Sequence, residues 1–241
     1  MSQKGILYLI PNTLGSGPDA FATELSKVVV KELDTYIVEE IKSARKLLRS
    51  LGIEGPLEIF EYFMLNEHTR KGDPQEMIQP LLKGKNVGLI SEAGLPCVAD
   101  PGNVVVALAH ENGIKVVPLS GPSSIMMALM ASGMNGQEFI FHGYLPREKA
   151  DRQKKIRQME QNAQHGQTQI FMDAPYRNQQ VYEDLINTCK METMLCVAKN
   201  ISMHDEMIMT KSITGWHMSK PPELNKQLVM FVMGKAERIL R

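Results

Sequence analysis

Two loops of this 241-residue chain are rich in the residue types that bring a polypeptide backbone close to a ligand. Residues 91–102 read SEAGLPCVADPG and follow an apolar run over 86–90, and residues 120–124 read SGPSS and follow an apolar run over 114–119. Glycine permits close backbone approach, and proline fixes the direction of a turn. Ligands of open α/β sheets bind beyond the carboxyl ends of the strands. Either loop alone could be an ordinary turn, but the two together predict a ligand site.

A third glycine loop, residues 12–18 (NTLGSGP), follows the apolar run over 5–11. It has no Gly-Lys-Ser/Thr end, which excludes a Walker A phosphate loop, and its glycines are wrongly spaced for a dinucleotide fingerprint. It is a further candidate for ligand contact at the end of a strand.

Basic residues are concentrated in one segment, which contains only two acidic residues, Glu148 and Asp151. The basic members of this segment are Arg147, Lys149, Arg152, Lys154, Lys155 and Arg157. A second basic face is predicted on a helix over 40–51, and it is formed by Lys42, Arg45, Lys46 and Arg49. Such faces either contact phosphates or form a solvated helix surface, and both interpretations stay open.

Charge and composition limit the classes of function. Lys plus Arg and Asp plus Glu number 27 each, so the net charge of zero provides no general attraction for nucleic acid, although a local basic patch would suffice. Cys97, Cys189 and Cys196 are too widely spaced for a zinc site or a disulfide framework, and the six histidines lack ligand spacing, so no metal is expected. With no apolar leader or long apolar span, we expect a soluble cytoplasmic protein without a membrane partner.

Apolar runs alternate with helical patterns along the chain, which is the arrangement of an α/β fold. Strands are predicted over 5–11, 34–39, 57–63, 86–90 and 114–119 in the first half, and over 139–145, 168–173, 194–199, 207–214 and 227–234 in the second. Helices are predicted over 18–31, 40–51, 74–83, 104–110, 125–131, about 147–163 and 177–189, with a loop over 66–73. These elements predict two α/β domains, one with a parallel sheet over 1–119 and one with a mixed sheet over 120–241.

Four segments resemble motifs of one group of enzymes. Residues 91–102 are close to an SDAGTP…DPG signature, which is quite specific, and residues 7–15 (LYLIPNTLG) are similar to the first strand and loop of the same proteins. Residues 114–131 match their strand, PGP turn and helix, and residues 139–152 (FIFHGYLPREKADR) match their F…G-F-L-P segment and the basic residues after it. Over almost its whole length the chain resembles the tetrapyrrole methylase superfamily. It is similar, as a divergent member, to the bacterial family that methylates a cytidine ribose 2′-hydroxyl of small-subunit ribosomal RNA.

The resemblance implies an S-adenosylmethionine-dependent methyltransferase that acts as a homodimer on ribosomal RNA or the small ribosomal subunit. The cofactor would lie in a cleft between the two domains and transfer its methyl group by in-line displacement. By position, the cofactor-binding residues would be Pro11, Ala93, Gly94, Pro96, Ser123, Ser124 and Leu145. If the acceptor is a hydroxyl, a base helps, and the candidates are Glu39, Glu40 and Lys199. The candidates for substrate binding are Lys42, Arg45, Arg147, Lys149, Arg152 and Arg177.

The segments expected to face the substrate differ from the family pattern. An acidic-threonine-arginine motif becomes EEIK at 39–42, and lysine cannot reproduce the bidentate hydrogen bonding of arginine. A Glu-Ser…His-Arg segment becomes DAPYR at 173–177, an Ala-Arg-Glu stretch becomes AKN at 198–200, and a late Lys-Gly-Glu is replaced around 224–226. Two alternatives therefore stay open: a methyltransferase for a tetrapyrrole or other small molecule, and a cofactor-binding protein without catalysis.

Overall fold

The computed structural model describes residues 3–17, 22–65 and 74–235. The loop predicted over 66–73 and the first residues of the helix predicted over 18–31 lie outside these ranges. Close approaches between Cα atoms separate the chain into two compact units, Met1–Ser123 and Ser124–Arg241. The domain boundary predicted after Leu119 stays a prediction.

The N-terminal unit contains a five-stranded sheet in which every pair of neighbouring strands is parallel. Its strands are β1 (Ile6–Ile10), β2 (Thr35–Val38), β3 (Glu61–Met64), β4 (Val87–Ile90) and β5 (Lys115–Pro118), in the spatial order β3-β2-β4-β1-β5. Its helices are α1 (Glu24–Lys31), α2 (Ile41–Ser50), α3 (Pro74–Leu82) and α4 (Asn103–Glu111). This arrangement confirms the predicted parallel α/β architecture of the first half of the chain.

The central strands of this sheet are buried on both faces, which explains their continuous apolar sequences. All four residues of β2 and all four of β4 are buried. One apolar cluster packs Tyr36 and Ile10 against residues of α1 and α2, and another packs Leu7 and Val87 against residues of α3 and α4. The sheet therefore holds the carboxyl ends of β1, β2 and β4 in fixed positions.

The strand predicted over 57–63 begins later than predicted. Residues Leu57–Ile59 form a 3-10 turn after Pro56, and β3 starts at Glu61, whose backbone N–H donates to Asp34 O at 2.9 Å. Leu57 is buried but Ile59 is 75% exposed, so this stretch does not lie in the sheet. The apolar residues of this segment predicted a strand from residue 57, but Pro56 fixes the backbone before it and a turn forms instead.

The C-terminal unit contains a mixed sheet, as predicted. Its strands are β6 (Phe139–Tyr144), β7 (Thr168–Met172), β8 (Met194–Lys199), β9 (Met207–Ser212) and β10 (Val229–Gly234), in the order β6-β7-β10-β8-β9. The β6–β7 pair is parallel, whereas β7–β10, β10–β8 and β8–β9 are antiparallel. The helices are α5 (Ser124–Ser132), α6 (Lys149–Gln164), α7 (Asn178–Thr188) and α8 (Ile213–His217).

Helix α8 was not predicted, and it shortens the strand predicted over 207–214. The strand ends at Ser212 because the Ser212 hydroxyl accepts a hydrogen bond from Gly215 N–H at 3.1 Å and so caps the helix. Trp216 is then buried, donates from Nε1 to Leu195 O at 2.9 Å, and meets the ring of Tyr182 edge-on at 5.6 Å. This helix anchors the tryptophan in the core of the C-terminal unit.

Replacing Gly121 with alanine should destabilise the N-terminal unit. An added Cβ at Gly121 would lie 2.1 Å from Pro11 Cβ, so the loops after β1 and β5 would have to separate, at a cost of about 1–3 kcal/mol. Gly136→Ala is the matched control, because a Cβ there meets nothing within 4 Å. Urea titration followed by amide hydrogen exchange in β1 measures the effect on this unit. Equal stability of the two variants would contradict the close contact.

Candidate functional site

The buried side chain of Asn12 joins the loops that follow β1 and β4. Asn12 is 5% exposed, and its Nδ2 donates hydrogen bonds to Ser91 O at 2.9 Å and Glu92 O at 3.0 Å. Its backbone N–H donates to Gly94 O at 2.8 Å, and its Oδ1 accepts from Thr13 N–H at 2.8 Å. All four hydrogen bonds join Asn12 to backbone groups of the loops after β1 and β4. Asn12 therefore fixes the spacing of two loops that the sequence proposed as ligand contacts.

The sequence predicted the loop over 12–18 as a ligand contact but did not distinguish Asn12 within it. The available signal was its place immediately after a buried strand, where asparagine side chains often bond to the backbone of a turn. Its partners at 91–94 lie about eighty residues away in the chain, so the particular contact could not be read from local sequence.

The loop after β5 approaches the same edge of the sheet. Gly121 lies against Pro11, and a Cβ at Gly94 would lie 3.3 Å from both Leu14 Cδ2 and Pro122 O. Gly94 also has a left-handed backbone with φ +68°, which favours glycine. Pro11, Gly94 and Pro96 are buried and Ala93 is exposed. The structure thus brings together four of the predicted cofactor residues at the carboxyl edge of the parallel sheet.

The remaining predicted cofactor residues occupy other positions. Ser123 is the last residue of the N-terminal unit, and Ser124 begins α5 of the C-terminal unit. Leu145 follows β6 in the C-terminal unit and is 3% exposed. Their part in cofactor binding stays a prediction.

Glu39 and Asp100 form a carboxyl pair beside this edge. Glu39 follows β2, is half-buried, and shares a hydrogen bond with the Asp100 carboxyl group. Burial raises the pKa of Glu39 to about 7, and the hydrogen bond and negative charge of Asp100 act in the same direction. Glu39 Oε1 also accepts a hydrogen bond from Glu92 N–H at 3.2 Å, which opposes the rise. Glu39 therefore titrates near neutral pH while it contacts the loop after β4.

Asp100 lies in a strained part of that loop. Cys97 and Ala99 have left-handed backbones, with φ of 67° and 62°, which residues other than glycine adopt at a cost. Asp100 Oδ1 accepts from Gly102 N–H at 3.0 Å, just before α4 begins. Burial raises the pKa of the Cys97 thiol to about 11, so this cysteine stays protonated at neutral pH.

Glu40, the second candidate base, caps a helix instead. Its two carboxylate oxygens accept hydrogen bonds from the backbone N–H groups of Lys42 at 2.9 Å and Ser43 at 2.7 Å, at the start of α2. These two bonds lower the pKa of Glu40, and the side chain is exposed. A carboxylate held in its ionised form by a helix N-terminus is a weak proton acceptor, and the role of Glu40 as a base stays a prediction.

Lys199, the third candidate base, has an acidic partner. Its Nζ lies 3.7 Å from Asp205 Oδ2, and the same oxygen accepts from Asn200 Nδ2 at 2.7 Å. Asn200 Nδ2 also donates to Gln227 Oε1 at 2.6 Å. The role of Lys199 as a base stays a prediction. Of the three candidates, Glu39 is the one whose surroundings suit a base.

Arg152 is a structural residue of α6 rather than an exposed cation. It is 1% exposed, and its Nε and Nη2 lie 2.8 and 2.6 Å from Asp184 Oδ2 on α7. Its Nη1 donates to Pro146 O at 3.1 Å and Arg147 O at 2.6 Å. The choice of Arg152 as a substrate contact is therefore corrected, because no side of the guanidinium faces solvent.

Arg177 also contacts the loop between β6 and α6. It pairs with Asp173 at 3.0 Å, and its Nη2 donates to Pro146 O at 2.9 Å. Its side chain is 12% exposed, so it supports the end of β6 more than it presents charge.

The other predicted substrate residues differ in exposure. Lys42, Arg147 and Lys149 are exposed. Arg45 is half-buried, lies 3.3 Å from Glu58 Oε1, and stacks over the Tyr62 ring at 5.3 Å. Of these exposed cations, Arg147 precedes α6, Lys149 begins it, and Lys42 lies in the first turn of α2.

Comparison with known proteins identifies the family of this chain. The family model for Tetrapyrrole (Corrin/Porphyrin) Methylases matches residues 28–214, which span most of both units. The chain belongs to the tetrapyrrole methylase family. Membership makes it a methyltransferase.

Two relatives carry the same name, Ribosomal RNA small subunit methyltransferase I. The protein from Haemophilus influenzae is 30% identical over 234 residues, which cover 96% of this chain and 79% of the relative. The protein from Bacillus subtilis is 34% identical over 176 residues, covering 73% of this chain and 57% of the relative. The crystal structure of the methyltransferase CobJ matches 99% of this chain and 97% of its own with a TM-score of 0.63. At 15% identity, that last likeness shows a shared fold.

No helix within the ranges that the structure describes is long and apolar enough to span a membrane. Within the same ranges, no group of three or more His, Cys, Asp or Glu side chains is placed to hold a metal ion.

The methylase should lose stability as pH rises through neutrality, and Glu39→Gln should reduce that loss. The folded protein holds a proton on Glu39 between pH 4.5 and about 7 that the unfolded chain releases, so this contribution is present below 4.5 and is lost as pH rises through about 7. Glutamine keeps both contacts, since it can accept from Glu92 N–H and donate to Asp100. Between about pH 5 and 8, the melting temperature of the wild type should fall by about 2–4 °C more than that of the variant.

Glu40→Gln is the matched control for this experiment. The Glu40 carboxylate is exposed and ionised throughout the range, so its replacement weakens a helix cap without changing the shape of the pH profile. Parallel profiles for the wild type and Glu39→Gln would contradict the assignment of the proton to Glu39.

Proposed function

We propose that this methylase transfers a methyl group from S-adenosylmethionine to a ribose 2′-hydroxyl of small-subunit ribosomal RNA. The observation that carries the proposal is the similarity, over 96% of the chain, to a protein named as a ribosomal RNA small subunit methyltransferase. The loops joined by Asn12 support it, since they form a built edge where ligands of α/β sheets bind. A homodimer in the cytoplasm completes the proposal, following the family resemblance.

The residues at the carboxyl edge of the N-terminal sheet fit this cofactor. Gly94 and Gly121 lie where a Cβ would meet neighbouring loops, so the lack of side chains there lets the three loops at this edge pack closely together. Pro11, Ala93, Gly94 and Pro96 would hold it through backbone groups and apolar contact. The cofactor supplies an already activated methyl group, so the main task of these residues is to orient it and exclude water.

We propose Glu39 as the base for the ribose hydroxyl. When bound, S-adenosylmethionine would supply the methyl group to the ribose oxygen and keep the electron pair of its carbon–sulfur bond, and Glu39 would accept the proton that the hydroxyl releases. A base works best when its pKa lies near the working pH, and burial places the pKa of Glu39 at about 7. The exposed cations Lys42, Arg147 and Lys149 would contact RNA phosphates.

A small-molecule acceptor is the second candidate, and the amide pair of Asn200 and Gln227 favours it. The resemblance implies an Ala-Arg-Glu stretch where this chain has Ala198, Lys199 and Asn200, and here the neutral side chains of Asn200 and Gln227 share a hydrogen bond of 2.6 Å. The net charge of zero also provides no general attraction for RNA.

Methyl transfer from radiolabelled S-adenosylmethionine to small ribosomal subunits tests the proposal, using subunits from a strain that lacks this gene. Label mapped to one ribose supports it. Glu39→Gln should lower kcat by about 100-fold or more with an unchanged KM for the cofactor, whereas Glu40→Gln should behave like the wild type. Cofactor binding by calorimetry without label in RNA would favour the small-molecule acceptor.

Asn12→Ala should weaken cofactor binding by about 10-fold, because Ser91 O and Glu92 O lose their donor and the loop after β4 is released. Asn86→Ala is the control. Asn86 Oδ1 accepts from Ile6 N–H at 2.8 Å at the opposite end of the same strands, so its loss removes one hydrogen bond away from the site. Calorimetry with S-adenosylhomocysteine compares the two. Equal affinities would show that the loops hold their positions without Asn12.

A further inference from the structure

Two tyrosines at the carboxyl end of the parallel pair β6–β7 are exposed to solvent. Tyr144, the last residue of β6, is 65% exposed, and Tyr176, in the 3-10 turn after β7, is 67% exposed. At this exposure neither ring contributes much to the core of the C-terminal unit. Each ring leaves a large flat surface available to a partner.

The backbone of β6 is shaped to present Tyr144. The register between β6 and β7 is regular from Phe139 to Phe141 and then shifts before Tyr144, which pairs with Met172. Gly143, inside this irregularity, has a left-handed backbone with φ +65°. A bulge of this kind redirects the side chain that follows it. The direction of Tyr144 is therefore set by the strand itself.

Two arginines, the buried Arg152 and the partly buried Arg177, hold the two tyrosine-bearing segments together. Arg177, directly after Tyr176, donates from Nη2 to Pro146 O at 2.9 Å and from Nη1 to Leu145 O at 3.4 Å. Arg152, on α6, donates to Pro146 O and Arg147 O and so fixes the loop between β6 and α6. Each guanidinium group thus pairs with a carboxylate and also donates to backbone carbonyls of residues 145–147. The two rings are thus carried on a rigid support.

Exposed cations lie next to these rings in the chain. Arg147 follows Tyr144 by three residues and Lys149 by five, and both side chains are exposed. Proteins that bind single-stranded nucleic acid combine such cations, which contact the phosphates, with aromatic rings on which bases stack. RNA recognition in particular targets unpaired bases that can be stacked on aromatic side chains.

We propose that Tyr144 and Tyr176 form a stacking platform for unpaired bases of the RNA substrate, with Arg147 and Lys149 holding the adjoining phosphates. This inference rests on the proposed RNA function and adds the residues that select unpaired over duplex RNA. The bulge at Gly143 and the hydrogen bonds of Arg152 and Arg177 pre-organise the platform, so its rings are ordered before RNA arrives.

Binding measurements with three RNA probes test the platform. The probes are a fluorescent single-stranded RNA of about 12 nucleotides, a duplex that contains the same sequence, and small ribosomal subunits. Tyr144→Ala and Tyr176→Ala should each weaken single-strand binding by about 5- to 100-fold, while Tyr→Phe at either position retains it. Phe139→Ala is the matched control, since Phe139 is a 36% exposed ring at the other end of β6.

Salt dependence separates stacking from charge. The tyrosine variants should leave the slope of log affinity against log salt unchanged, whereas Arg147→Gln and Lys149→Gln should each reduce it by about 0.7. Wild-type binding with no loss in either tyrosine-to-alanine variant would overturn the platform and leave the RNA function intact. Equal losses for Phe139→Ala, or equal wild-type affinity for duplex and single strand, would also overturn it. Failure of the wild type to bind oligonucleotide and subunits would overturn the proposed function itself, and the platform with it.

Discussion

The site in the N-terminal unit depends on the hydrogen bonds of one buried amide, Asn12. A parallel sheet ends in backbone groups that have no partner in the next strand, and a buried group without a partner is costly. Asn12 satisfies two such carbonyls, Ser91 O and Glu92 O, and in doing so connects β1 to the loop after β4. The positions of Gly94 and of Glu92 N–H, the donor to Glu39, follow from that connection.

Two features of this edge cost stability. Cys97 and Ala99 adopt left-handed backbones, and the carboxyl groups of Glu39 and Asp100 lie together, so that a shared proton relieves their repulsion. A strained loop beside a titrating carboxyl is common at functional sites, because the same features that cost stability set reactivity and position. The loop after β4 thus combines the clearest sequence motif of the methylase with two left-handed residues other than glycine.

The sequence predicted the strands of the parallel sheet well where burial on both faces enforced continuous apolar runs, as in β4. It failed where one residue redirected the backbone, as Pro56 did before β3 and Ser212 did before α8. Charge alone also misassigned Arg152. Its spacing with Ile156, Met159 and Ala163 places it on the buried face of α6, a signal that was present, but its partner Asp184 lies 32 residues away and could not be read locally.

The burial of Arg152 is better explained by the loop it supports than by the stability of its ion pair. Buried pairs such as Arg152–Asp184 are often no more stabilising than apolar side chains of the same volume, because both charges lose their hydration. An apolar residue could fill the space, but it could not donate to Pro146 O and Arg147 O. Lysine would offer a point charge in place of the planar fork that reaches Asp184 and both carbonyls at once. The arginine is therefore suited to fixing the loop between Tyr144 and Arg147, two residues that face solvent.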